Sequence, residues 1–277
     1  AKWIRSDDCY LSQLGANAVE LQPILEPDAE TTDEYFWGYM PVSFFAPASH
    51  YSSCPEQASG IRELQEIVSA FHGKGMAVIL DLVYNHVGVP NHFARIDKGL
   101  YFATDKFGRL TNHSGCGNDL RANSSAARRL VIDSLKYLVR TFDVDGFRLD
   151  LAELLGIEFL REIEHELLLI KPNLHLIAEP WSFRGRLPDA MRETIYSLWG
   201  DDLREGLLDY AKGKGEATSV LRWLQGSPSS VSARPSQTVN YVESHDDYAF
   251  IDRLTERPRR NGSKPTALDI RRHRLAL

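Results

Sequence analysis

Four short stretches end apolar runs with groups able to do chemistry. "ILDLVYNH" carries Asp81, Asn85 and His86, "GFRLDL" carries Arg148 and Asp150, "LIAEPW" carries Glu179 and Trp181, and "NYVESHDD" carries His245 and Asp246. Residues two apart on a strand share a face, so Arg148 and Asp150 form a pair. A cation beside Asp150 favours its ionised form, while Glu179, after the apolar run "LHLIA", would be held protonated by partial burial. One ionised and one protonated carboxylate suit glycoside hydrolysis. The first attacks the anomeric carbon and the second protonates the leaving oxygen; with retention the two stand about 5 to 5.5 Å apart.

Plainer readings exist for the same residues. An isolated acid at a strand end is often a helix cap or half of a surface pair, and a carboxylate cluster can hold a divalent cation. The fixed charge of Arg148 weighs against the cation. His72, His92, His113, His165 and His175 show no metal-ligand spacing, so no metal site is assigned.

Groups from four strands meet only if a common architecture brings the strand ends together. "IRELQEIVSAFHGKGMAVILDLVYNH" has helical spacing at Ile61, Leu64, Ile67, Val68 and Phe71, then glycines, then a β-rich run. "LSQLGANAVELQP", "SAARRLVIDSLKYLVRTFDVDGFRLDL" and "GIEFLREIEHELLLIKPNLHLIAEPW" repeat the pattern. "TIYSLWG" and "TVNYVESHDD" read as further strands, and "LREGLLDYAKG", "ATSVLRWLQG" and "LDIRRHRLAL" as helices. Buried parallel strands joined by helices make an α/β sheet, open or closed into a (β/α)8 barrel. Barrel enzymes place their sites at the C-terminal ends of the strands, where these polar groups stand. About six strands are legible, so the expectation is one incomplete TIM-type barrel over residues 1–277, its first and last strands outside the chain. An irregular insertion is expected at about 87–123, and loops of that length are often functional.

Composition narrows the partners. With 38 acids against 32 bases the net charge is −6, and the bases gather only near the C-terminus, in "RPRRNGSK" and "RRHR". No basic stripe tracks a phosphate backbone, so nucleic acid is not expected. No apolar run approaches the roughly 20 residues of a membrane span, and the N-terminus lacks a signal-peptide pattern. The three cysteines, Cys9, Cys54 and Cys116, fit no CxxC spacing, which favours a reducing compartment and hence cytoplasm over export.

The same stretches, in order, resemble the four conserved regions of the alpha-amylase family of retaining glycoside hydrolases: "DLVYNH", "GFRLDLA", "IAEPW" and "VNYVESHDD". "WGYMPVSFFAP" and "SGCGND" resemble the debranching subgroup that holds isoamylase, pullulanase and glycogen debranching enzymes. The resemblance implies an alpha-glucan partner and hydrolysis of alpha-1,6 branch linkages. An alpha-1,4-acting amylase or transglycosylase of the same family, or a non-catalytic glucan-binding homologue, are the alternatives. It implies Asp150 as nucleophile, Glu179 as acid and then base, and Asp246 as transition-state stabiliser. Arg148 would orient Asp150, His86 and His245 would bond the sugar, and Tyr39 would stack beneath it. Asp81 and Asn85 would support the site, and Trp181 would stack on a sugar or seal the pocket. The aromatic spacing of Phe36, Trp37, Phe44 and Phe45 fits a core as well as a platform. Asp247 stands where many members have Asn or Gly. No organic cofactor is implied, and the calcium found in parts of the family has no position assigned here.

Overall fold

The computed structural model describes residues 1–28, 37–226, 232–255 and 264–276. Phe36 and all of "RPRRNGSK" except Lys264 lie outside them. The chain divides into two compact units, Ala1–Pro188 with Thr194–Tyr196, and Asp189–Glu193 with Ser197–Leu277.

In the first unit, strands β1 (Ala18–Leu21), β2 (Ala77–Leu82), β3 (Gly146–Leu149) and β4 (His175–Ala178) pair in parallel in that order. Short helices α1 (Lys2–Arg5) and α2 (Tyr10–Gln13) precede β1, and α3 (Ser59–His72) leads to β2. Helices α4 (His92–Tyr101) and α5 (Ser125–Phe142) lie between β2 and β3, and α6 (Ile157–Leu168) lies between β3 and β4. A separate antiparallel hairpin, β5 (Trp181–Ser182) with β6 (Gly185–Arg186), follows β4.

Local sequence accounts for these elements. Helix α5 buries Val131, Leu135, Leu138 and Phe142 at helical spacing. Ser124 caps its start by accepting the Ala127 N–H, and Asp143 ends it in a left-handed conformation. Helix α3 buries Leu64, Val68 and Phe71, and Gly75, at φ +72°, turns the chain back so that the Met76 N–H donates to the Phe71 carbonyl. The run "VILDL" of β2 is buried throughout, as a parallel strand covered on both faces must be.

The connection over residues 87–123 is more ordered than the sequence predicts. It contains α4 and two isolated antiparallel bridges, Phe102–Leu120 and Thr104–Leu110. Asn91 caps α4, but Asp97, at φ −159°, breaks its dihedral run, leaving too little regular helix for periodicity to register.

In the second unit, β7 (Ser197–Trp199) pairs in parallel with β8 (Thr238–Val239). Helices α7 (Asp201–Ala211), α8 (Ala217–Leu224), α9 (Phe250–Thr255) and α10 (Ala267–Ala276) complete it. Leu203, Leu207, Leu208, Val220, Phe250 and Leu254 form its core. The strand expected across "TVNYVESHDD" is only its first two residues. From Asn240 onward the backbone turns, with the Glu243 carboxylate taking the Phe250 N–H and the Asp247 N–H donating to Ser244. These groups satisfy the backbone without a ladder. Among the described residues six strands run parallel, four in one unit and two in the other, the number the sequence predicts. No described helix is long and apolar enough to cross a membrane.

Gly146 opens β3 where the neighbouring strand approaches closely. A Cβ there would lie 2.6 Å from the His175 carbonyl and 2.9 Å from its Cβ. Gly146→Ala should lower the unfolding free energy by about 1 to 3 kcal/mol, the usual cost of overpacking. Urea titration of the variant against the parent protein checks this, and equal midpoints would show that the strands can part at no cost.

Candidate active site

Strand register builds the site. Asp81 lies opposite Arg148, and Arg148 opposite Ile177. Two residues further along, Asp150 and Glu179 project on the same face as Arg148 and Ile177. The ladder continues far enough to fix their backbones: the Asp150 N–H donates to Leu82 and the Glu179 N–H to Leu149.

Arg148 is fully buried and lies within reach of three carboxylates. Its Nη1 is 2.9 Å from both Asp81 Oδ1 and Asp150 Oδ1, and its Nη2 is 3.1 Å from Glu179 Oε2. Asp81, Asp150 and Glu179 are themselves buried, Asp150 the least so at 8 %. Burial works against the charge of Arg148, yet Asp81, Asp150 and Glu179 hold its pKa well above the ordinary value. Burial pushes the Asp81 carboxyl up, against the opposing pull of the Arg148 guanidinium. Three acids around one guanidinium leave an excess of buried negative charge that a proton can relieve.

Asp150 is held at both oxygens. Arg148 takes Oδ1, and the Asn85 amide donates to Oδ2 and to the Asp150 carbonyl, each at 2.9 Å. Asn85 is held in turn by His86, whose Nδ1 is 2.6 Å from Asn85 Oδ1, while His86 Nε2 donates to the Tyr39 carbonyl at 2.7 Å. Burial lowers the pKa of His86, against the attraction of Asp150. Both ring nitrogens are therefore engaged within the protein, and His86 supports Asn85 where the resemblance has it facing sugar. Tyr39 is also buried; its hydroxyl donates to Asp81 Oδ2 at 2.5 Å, and burial raises its pKa, reinforced by the Asp81 charge.

Glu179 is placed differently from the expectation of an apolar pocket. Its Oε2 accepts the Leu151 N–H at 2.7 Å and also meets Arg148. Both contacts stabilise a carboxylate. Leu151 adopts a left-handed conformation, φ 39°, that turns this N–H toward Glu179. Such strain in a non-glycine residue is characteristic of functional sites.

Sequence reasoning did not single out Asp119 or Asn118. Asp119 accepts the His113 and Ser114 N–H groups, and Asn118 bonds both the N–H and the carbonyl of Val87. The Leu120 N–H donates to the Asn85 carbonyl. The "SGCGND" loop thus clamps the residues after β2. Two adjacent polar residues after a glycine pair were the available signal. Cys116 sits in this loop, its thiol pushed up to about 11 by burial and then by Asp150 and Asp119.

Trp181 is half-buried on β5 with the Arg186 guanidinium 5.3 Å from its ring. His245 and Asp246 belong to the second unit, where His245 Nε2 lies 3.4 Å from Asp246 Oδ2 and the Asp246 side chain is half exposed. The structure of the first unit therefore joins Tyr39, Asp81, Asn85, His86, Arg148, Asp150 and Glu179 in one network. Calcium does not suit that network, because a guanidinium already sits among its carboxylates.

No family model matches the chain. It is 30 % identical to the pullulanase of Bacillus subtilis over 298 residues, covering 96 % of this chain and 41 % of that protein. It is 33 % identical to the chloroplastic isoamylase 3 of Oryza sativa, covering 88 % of this chain and 35 % of the relative. A glycogen operon protein GlgX homolog of Mycobacterium tuberculosis is 31 % identical, covering 91 % and 38 %. The chain thus spans about two fifths of the length of these relatives. Among solved structures, the pullulanase of Bacillus acidopullulyticus matches 97 % of this chain and 36 % of its own at a TM-score of 0.86 and 30 % identity. Type I pullulanase of Bacillus subtilis complexed with maltose matches 98 % and 42 % at 0.84 and 30 % identity. The debranching resemblance carried by the short motifs therefore extends along nearly the whole chain.

Removing Arg148 strands three buried carboxylates. Arg148→Met should cost about 3 to 5 kcal/mol of stability at neutral pH, as breaking a buried ion pair does. Without the guanidinium the carboxyl pKa values in the folded state rise above their unfolded values. The folded form then binds more protons, so stability is regained as pH falls through those raised values and lost as pH rises through them. Urea unfolding at pH 5 and pH 7 tests this; a deficit independent of pH would mean that lost packing, not charge, is responsible.

Proposed function

We propose that this chain is the catalytic barrel portion of an alpha-glucan debranching hydrolase, its parallel strands forming part of a TIM-type (β/α)8 barrel. The reaction is hydrolysis of alpha-1,6 branch linkages in glycogen, starch or pullulan, with retention and without an organic cofactor. One observation carries the reading: Asp150 and Glu179 are locked on one guanidinium at adjacent strand ends, in a chain similar along its length to pullulanases and isoamylases.

In the first step an Asp150 oxygen attacks the anomeric carbon, the bond to the bridging oxygen breaks, and Glu179 gives that oxygen its proton. In the second, water attacks the same carbon, Glu179 takes the water's proton, and the bond to Asp150 breaks. Asp150 enters as a carboxylate oriented by Asn85 and Arg148. The proton on Glu179 follows from the crowding of Asp81, Asp150 and Glu179 around a single cation, which disfavours three simultaneous negative charges. Asp246 and His245 serve the sugar hydroxyls, and Trp181 offers an aromatic face. Tyr39 and His86 act through the residues they hold.

Incubation with pullulan and, separately, linear amylose tests the reading, with products separated by chromatography. Pullulan should yield maltotriose, amylose should stay intact, and Asp150→Asn should be silent. Glu179→Gln should lose cleavage by about 10²-fold or more, the contribution of general acid catalysis at the low end, while still binding maltooligosaccharide. Shortened amylose would replace this reading with an alpha-1,4 enzyme.

A further inference from the structure

The second unit holds a compact charge network beside the His245–Asp246 turn. Arg204 Nε meets Glu205 at 2.9 Å and its Nη1 lies 3.7 Å from Asp247. Arg253 meets the same two acids at 2.6 and 3.4 Å. Two cations thus face two anions. The guanidinium side chains are well covered, 18 % and 12 % exposed, so their charges are poorly screened by water. Arg204 also lies over the Tyr241 ring, and Tyr241 packs on Trp199, which meets the His245 ring edge-on.

Asp247 sits at the centre of this arrangement and next to Asp246 in the chain. Its Oδ1 accepts the Tyr248 N–H and its backbone N–H closes the turn on Ser244. The turn is anchored beyond by Phe250, fully buried in the core of the unit, whose N–H goes to Glu243. An amide at position 247 could keep the bond to Tyr248 but not the charge. Two largely covered arginines would then face Glu205 alone, and the nearest other carboxylate along the chain is Asp246.

We propose that Asp247 is a positioning residue: by balancing Arg204 and Arg253 it keeps their charge from drawing Asp246 out of its working orientation. This rests on the reading of Asp246 as a group that serves the sugar. Loss of the Asp247 charge does harm because it leaves a positive charge over, so removing one arginine in the same protein repairs it. A residue with only a packing role gives no such repair.

The test compares Asp247→Asn, Arg204→Gln and the double variant on pullulan. Asp247→Asn should lower kcat about tenfold with KM little changed, and the double variant should recover most of that loss, a coupling in the range seen for neighbouring charges. Hydrogen exchange of the Tyr248 and Phe250 amides provides a readout independent of turnover. It should speed up in Asp247→Asn and return toward the parent rate in the double variant. A double variant no better than Asp247→Asn in exchange overturns the proposal whatever the activity. A parent protein that leaves pullulan intact counts against the proposed function, and the exchange comparison still decides the charge balance.

Discussion

The burial of Arg148 among three carboxylates is the constraint around which the first unit is organised. A guanidinium removed from water is tolerated only when its hydrogen bonds and charge are met inside the protein. Asp81, Asp150 and Glu179 meet them, and each comes from a different strand. The parallel register is therefore tied to the charge network. Slipping one strand by a residue would turn its carboxylate to the opposite face and leave Arg148 short of a partner. Such a network adds little net stability compared with apolar packing, but it fixes one geometry, which a double displacement requires.

Support for that geometry comes from successive rings of contact. Asn85 fixes the second oxygen of Asp150, His86 holds Asn85 and reaches Tyr39, and Tyr39 returns to Asp81. The loop from Ser114 to Asp119 grips Val87 and the Asn85 carbonyl from the other side. The unusual backbone of Leu151 spends its strain on one hydrogen bond to Glu179. Orientation is thus built into the polypeptide before any sugar arrives, as efficient electrostatic catalysis demands.

The polar residues at the strand ends were legible because chemistry constrains their types strongly and strand periodicity constrains their spacing. Arg148 and Asp150, two apart, do share a contact. Helices α3, α5 and α6 were equally legible, since each buries one stripe at helical spacing. The order within residues 87–123 was not, because its bridges join positions many residues apart and α4 is broken at Asp97. Nor was the shortness of β8. The run after Val239 has strand-like composition, but Glu243 and Asp247 offer its backbone local partners that outcompete a ladder.

By itself the amino-acid sequence determined the alternation of strand and helix, the strand ends at which acids and histidines stand, and the class of chemistry they suit. These follow from periodicity and residue type, which are local properties. Tertiary structure alone decided the functions of individual side chains: that His86 supports Asn85, that Tyr39 bonds Asp81, and that Glu179 meets a cation and an N–H where an apolar pocket was expected. It also decided that Asp247 faces two arginines. Hydrogen-bond partners and the sharing of charge depend on distances between segments far apart in the chain, and no local pattern encodes those distances.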